Sequence, residues 1–144
     1  MVSLLLAACG DAPAPQSLAD PNDAAKVALG AKLYARDCAV CHGAKLEGQA
    51  NWRERLPNGR MPAPPHNEEG HTWHHPDEML FGMTKFGLKD YAPPGYESDM
   101  PAFGGTLSDE EIWAVLSFIA SHWKTKALLE ARAEIVRNAL SRRR

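Results

Sequence analysis

Two cysteines three positions apart and followed directly by a histidine, Cys38-Ala39-Val40-Cys41-His42, constrain this 144-residue chain more than any other feature. A thiol pair at this spacing has three familiar uses. A redox pair of the thioredoxin kind sits in a strand-helix-strand setting, and no stretch of this sequence alternates like a strand. A zinc site needs a second ligand pair at matching spacing, and the remaining cysteine, Cys9, lies far off in the sequence. The adjacent histidine points to the third use. Two thiols so spaced reach the two vinyl groups of a haem, and the next residue is then placed under the iron. The motif reads as one covalent haem c site, with His42 as an axial ligand.

The rest of the chain suits a fold wrapped around such a group. Its length allows one domain, and a formal net charge of -2 argues against a globally basic polymer-binding protein, so no nucleic-acid partner is expected. Eleven prolines and eleven glycines leave long stretches that cannot be regular. From Gly43 to His75 no period is sustained, and a segment of that length is rare in a small domain unless it encloses something.

Helix signals stand on either side of these stretches. Asn22 and Asp23 can cap a helix whose apolar positions Val27, Leu29, Leu33 and Tyr34 fall about a turn apart, running to about Asp37. Pro76, Asp77 and Glu78 suit the first turn of a second helix, with Met79, Leu80 and Met83 as its buried stripe and Gly87 as its end. Ser108-Asp109-Glu110-Glu111 is a capping box, and Ile112, Val115, Leu116, Ile119 and Trp123 follow on one face. That pattern continues weakly through Leu128, Ile135 and Leu140, so the expected fold class is all-α with a helical tail.

The two ends read differently from the middle. Leu6-Ala7-Ala8-Cys9 closes a short apolar run and resembles a bacterial lipobox, which implies a lipoprotein signal peptide over residues 1–8 and a lipid on Cys9. A short buried helix is the other reading, and the run is too short to span a bilayer, which takes about 20 apolar residues. Residues 9–22 have linker composition. Residues 124–144 carry Lys124, Lys126, Arg132, Arg137 and Arg142 to Arg144 against Glu130 and Glu134. This basic tail is expected to be solvated, or to dock an acidic partner or an anionic membrane.

Gly30 to Tyr34, Cys38 to His42 and Met100 to Ile119 together resemble a class I c-type cytochrome, over residues 23–123. The resemblance implies a cytochrome c fold, in which the first and last helices cross beside the haem, with Gly30 letting Phe118 approach and Tyr34 as the aromatic of the first helix. It also implies that Met100, followed by Pro101, is the sixth iron ligand. A proline carbonyl, Pro64 in preference to Pro62 or Pro65, would accept the free ring proton of His42. Met79 and Met83 read as core, and Met61 as part of the first loop. Trp52, Arg53, Arg55, Trp73 and Tyr91 are candidates for the haem propionates.

Histidine and methionine on the two faces of the iron suit one-electron transfer rather than catalysis. The expected role is therefore an electron carrier on the periplasmic side of a bacterial membrane, tethered through Cys9 and meeting redox partner proteins at the haem edge. Two alternatives remain. One is a haem enzyme or gas-sensing subunit with a labile sixth ligand. The other is a copper- or zinc-binding module built on His66, His71, His74 and His75. The expected reading of that loop is a solvated segment whose histidines cap the following helix or pack beside Trp73, and a bis-histidine haem is a third.

Overall fold

Asp23 sets the first helix in place by accepting hydrogen bonds from the backbone N–H groups of Ala25 and Lys26, both at 3.0 Å. In the computed structural model, which describes residues 19–142, helix α1 (Ala24–Asp37) passes through Cys38 into one short turn, α2 (Ala39–His42). Gly43 ends that turn at φ 81°, a backbone region costly for other residues. Cys9 lies outside the described residues.

Three longer helices follow. Helix α3 (Asp77–Phe86) starts after Pro76, ends at Gly87, and is preceded by a single 3-10 turn, Thr72–His74. Helix α4 (Asp109–Ala120) opens with the full capping box of Ser108 and Glu111. Helix α5 (Lys126–Ser141) comes last. The fold is all-α, with no strand among the described residues and one isolated parallel bridge, Met61 to Ser98.

The core lies where α1 crosses α4. A Cβ on Gly30 would overlap the Ala114 carbonyl and lie 2.8 Å from Phe118 Cβ, so only glycine allows this approach. Tyr34 and Phe118 meet at 5.2 Å between ring centroids. Ile112, Val115, Leu116 and Ile119 are buried beneath them with Leu33. Each such side chain contributes roughly 1.5–3 kcal/mol by leaving water. Helix α3 leans on the same helix through Phe81 and Trp113, stacked at 4.6 Å.

Both ends of the expected domain differ from the sequence reading. The expected linker, residues 9–22, is not free at its last residues. Ala19 packs against the core, and Asp20 N–H donates to buried Ser117 Oγ at 2.9 Å. The final helical pattern is also broken rather than continuous. The Ser121 hydroxyl donates to the Phe118 carbonyl and His122 Nδ1 lies 2.9 Å from the same oxygen, so the α4 end is capped by side chains.

The basic segment is helical over Lys126–Ser141 but not simply solvated. Leu128 and Arg132 are buried. Glu68, from the histidine-rich loop, accepts from the backbone N–H groups of Lys124 and Thr125 and from the Thr125 hydroxyl, closing the start of α5. Trp123 Nε1 donates to the His66 carbonyl at 3.0 Å. Among the described residues no helix is long and apolar enough to cross a membrane.

Candidate functional site

The end of α1 fixes one wall of the site. Because α1 runs straight into α2, Cys38, Cys41 and His42 emerge together and line one cavity of about 240 Å³. Neither thiol is in a disulfide. Burial pushes the Cys38 thiol up to about 11, helped by the charge of Asp37, so this sulfur is held as a neutral thiol. Val40, between the two cysteines, is 84% exposed, so the attachment turn sits at the molecular surface.

His42 is oriented by one hydrogen bond. Its Nδ1 lies 2.8 Å from the Pro64 carbonyl oxygen, which can only accept, so Nδ1 carries the proton and Nε2 keeps its lone pair. Burial lowers the pKa of this ring, which keeps it neutral. Pro64 is held by the chain around it. Gln49 N–H donates to the Ala63 carbonyl at 2.9 Å, and Ala63 N–H returns to Gln49 Oε1 at 2.7 Å. Gly48 lies so close beneath that a Cβ would sit 2.5 Å from the Pro65 nitrogen.

Leu46 anchors the same loop at a cost. It has φ 62°, unfavourable for a branched side chain by roughly 1–3 kcal/mol. Its side chain is buried and its carbonyl accepts from the N–H groups of His66 and Asn67. This brings the His66 ring onto His42, with centroids 3.9 Å apart and 34° between planes.

The opposite wall carries methionines. Met100 lines the cavity, and so do Met61 and Met83. Met61 N–H donates to the Glu97 carbonyl at 2.8 Å, which pairs the two Met-Pro segments, and the Met100 N–H donates to Ser98 Oγ at 3.1 Å. Arg60 ties the pair by binding the Ser98 carbonyl and Asp99. Beyond Met100, the N–H groups of Phe103 and Gly104 donate to Thr84 and Lys85 at the end of α3. Met61 is thus part of the cavity wall rather than only loop backbone, and its link to Ser98 has no local signal in the sequence.

The candidates for the propionates do not line the cavity. Arg55 binds the carbonyls of Gly59 and Gly95, the Tyr91 hydroxyl packs against Gly82, and Trp73 stacks on His74 at 3.6 Å. Trp52 stacks on His71 at 5.3 Å and carries the Arg53 guanidinium on its ring. His71 and His75 line the cavity instead. Among the described residues no group of three or more His, Cys, Asp or Glu side chains is arranged to hold a metal ion.

These residues fit a haem. Two thiols free of disulfides and a neutral imidazole with its Nε2 unengaged share a wall, while Leu80, Leu116, Ile119 and Phe103 supply the apolar surface a porphyrin needs. The orphaned N–H of the buried Trp73 indole adds a donor without an acceptor beside the histidine loop.

A thiosulfate dehydrogenase of Stutzerimonas stutzeri (strain A1501) is 28% identical over 102 residues, which cover 71% of this chain and 29% of that protein. The chain therefore spans under a third of that relative's length. No solved structure matches. The family model for cytochrome c matches residues 27–123, and with Cys38, Cys41 and His42 in place the chain belongs to the cytochrome c family and carries one covalent haem c.

Proposed function

We propose that this protein is a one-electron carrier whose haem iron is held by His42 on one face and Met100 on the other. The observation that carries this reading is that His42 and Met100 line the same cavity as the two attachment cysteines. The haem, when bound, supplies a one-electron couple at its iron. Pro64 holds the Nδ1 proton of His42, which keeps the ring neutral and its Nε2 available. Met100 offers a soft, uncharged thioether, which raises the potential relative to a second imidazole. Leu80, Leu116 and Ile119 exclude water, so little solvent has to reorganise when the charge changes.

The working place we propose is the periplasmic side of a bacterial membrane, with a lipid on Cys9 as the tether and transient redox partners at the haem edge. The short apolar run ending in Cys9 supports the tether, and the exposed attachment turn around Val40 supports the docking edge. Similarity to part of a thiosulfate dehydrogenase favours a second reading, in which this domain receives electrons within an oxidoreductase.

The ferric protein is expected to show the weak methionine-to-iron charge-transfer band, and Met100→Ala is expected to abolish it. A parent protein without the band, or a ferrous form that readily binds carbon monoxide, overturns the carrier reading in favour of a labile sixth position. Turnover with thiosulfate and an artificial electron acceptor would move the protein to the enzyme class.

A further inference from the structure

We propose that His71 and His75 bind the two carboxylates of the porphyrin side chains and that this contact makes the haem potential fall as pH rises. The inference rests on the haem reading above and extends it to the polar edge of the group.

A bound haem carries two carboxylates, and an apolar cavity penalises them unless donors or cations meet them. Among the described residues no lysine or arginine lines this cavity, and its basic side chains are four histidines. Two are already engaged, His42 with the Pro64 carbonyl and His66 with Thr72 Oγ1 at 2.9 Å. His71 and His75 remain, with centroids 5.5 Å apart and no side-chain hydrogen bond to the described residues. The neutral donors on the wall, Gln49, Thr72, Thr84, Tyr96 and Ser98, carry no charge to offer.

The surroundings of the pair are positive. Arg53 reaches His71 across Trp52, and His66 and His74 add basic rings. Arg132, from α5, stands beside His75 and donates to the carbonyls of Trp73 and His75. Of the carboxylates nearby, Asp77 is held by Arg132 and Glu68 by the start of α5, Glu54, Glu69 and Glu78 lie on the same segments, and Asp37 and Asp99 line the cavity, paired with Arg36 and Arg60. Burial first, and these neighbours second, hold both imidazoles below their ordinary range. Two carboxylates placed against them reverse that balance and favour the protonated rings.

The sign of the redox effect follows. Ferric haem carries one more positive charge than ferrous haem, so a proton on either ring is bound more tightly in the ferrous state. Reduction is therefore favoured at low pH, and the potential drops as the rings lose their protons.

The test is spectroelectrochemistry of the holoprotein between about pH 5 and pH 8, the range in which imidazoles titrate. The parent is expected to lose at least about threefold in its equilibrium constant for reduction across that range, or about 30 mV for one electron. The His71→Phe/His75→Phe double variant is expected to flatten the profile, while His74→Asn keeps the slope. A double variant that keeps both the charge-transfer band and the full slope overturns this proposal alone. A parent that lacks the band, with a double variant that opens a position binding carbon monoxide, shows one of these rings to be an iron ligand and overturns the Met100 reading with it. Should the double variant fail to load haem, NMR titration of the parent decides. His71 and His75 should bind protons about threefold more tightly in the ferrous than in the ferric form, and equal affinities sink the idea.

Discussion

The crossing of α1 on α4 and the loop wall from Gly43 to His75 enclose the same cavity, yet different physics holds each of them. The crossing depends on shape, because Gly30 meets a backbone carbonyl with no room for a methyl group and the side chains around it are apolar. The loop depends on single polar links spread along the chain, such as His42 to Pro64, Glu68 to the start of α5 and Arg132 to the Trp73 and His75 carbonyls. Shape fails all at once when one atom is added, whereas links fail one at a time. The rigid half therefore fixes where the haem is attached, and the linked half adjusts what surrounds it.

That contrast can be broken by experiment. The largest effect is expected from Gly30→Val, which must separate the two helices. A loss of at least about 3 kcal/mol in denaturant unfolding is expected, and a loss under 1 kcal/mol would show that the crossing is adaptable after all. Next comes Arg132→Leu, which leaves Asp77 charged and buried at a cost of about 3 kcal/mol, while the double variant Arg132→Leu/Asp77→Leu recovers most of it. A double variant as unstable as the single one would mean that the guanidinium acts mainly through the Trp73 and His75 carbonyls. Ser117→Ala removes the partner of the Asp20 N–H and the link to Trp113, for about 1 kcal/mol by thermal denaturation.

The smallest effect is local. Hydrogen bonds from Thr125 and Lys124 hold the Glu68 carboxyl below its ordinary range, so its contribution is present above that range and lost as pH falls through the depressed value. Glu68→Gln should speed amide exchange in the first turn of α5 at neutral pH without moving the global transition. The gap between variant and parent should close once acid protonates Glu68. Exchange that is equal at neutral pH would mean that Leu128 alone seats the helix.

The same contrast decides what could be read from the residues. Helices α1, α3 and α4 were legible because a cap and a run of apolar residues a turn apart are local signals, as Asp23 with Leu33 and Ser108 with Leu116 show. The attachment turn was legible because its chemistry needs adjacent residues. The loop wall was not. Neither the pairing of Met61 with Ser98 nor the packing of His66 on His42 leaves a period in the sequence, since each joins residues more than twenty positions apart. The break between α4 and α5 was hidden for another reason. The apolar spacing continues across it through Trp123 and Leu128, while Ser121 and His122 cap α4 through their side chains.

Helix α5 also has a bearing on how such a protein is assembled in time. Chains emerge N-terminus first, so the attachment turn is made long before Trp123, Thr125 and Arg132, which fasten the histidine loop from behind. The contacts that fasten this wall are therefore the last to become available as the chain is made.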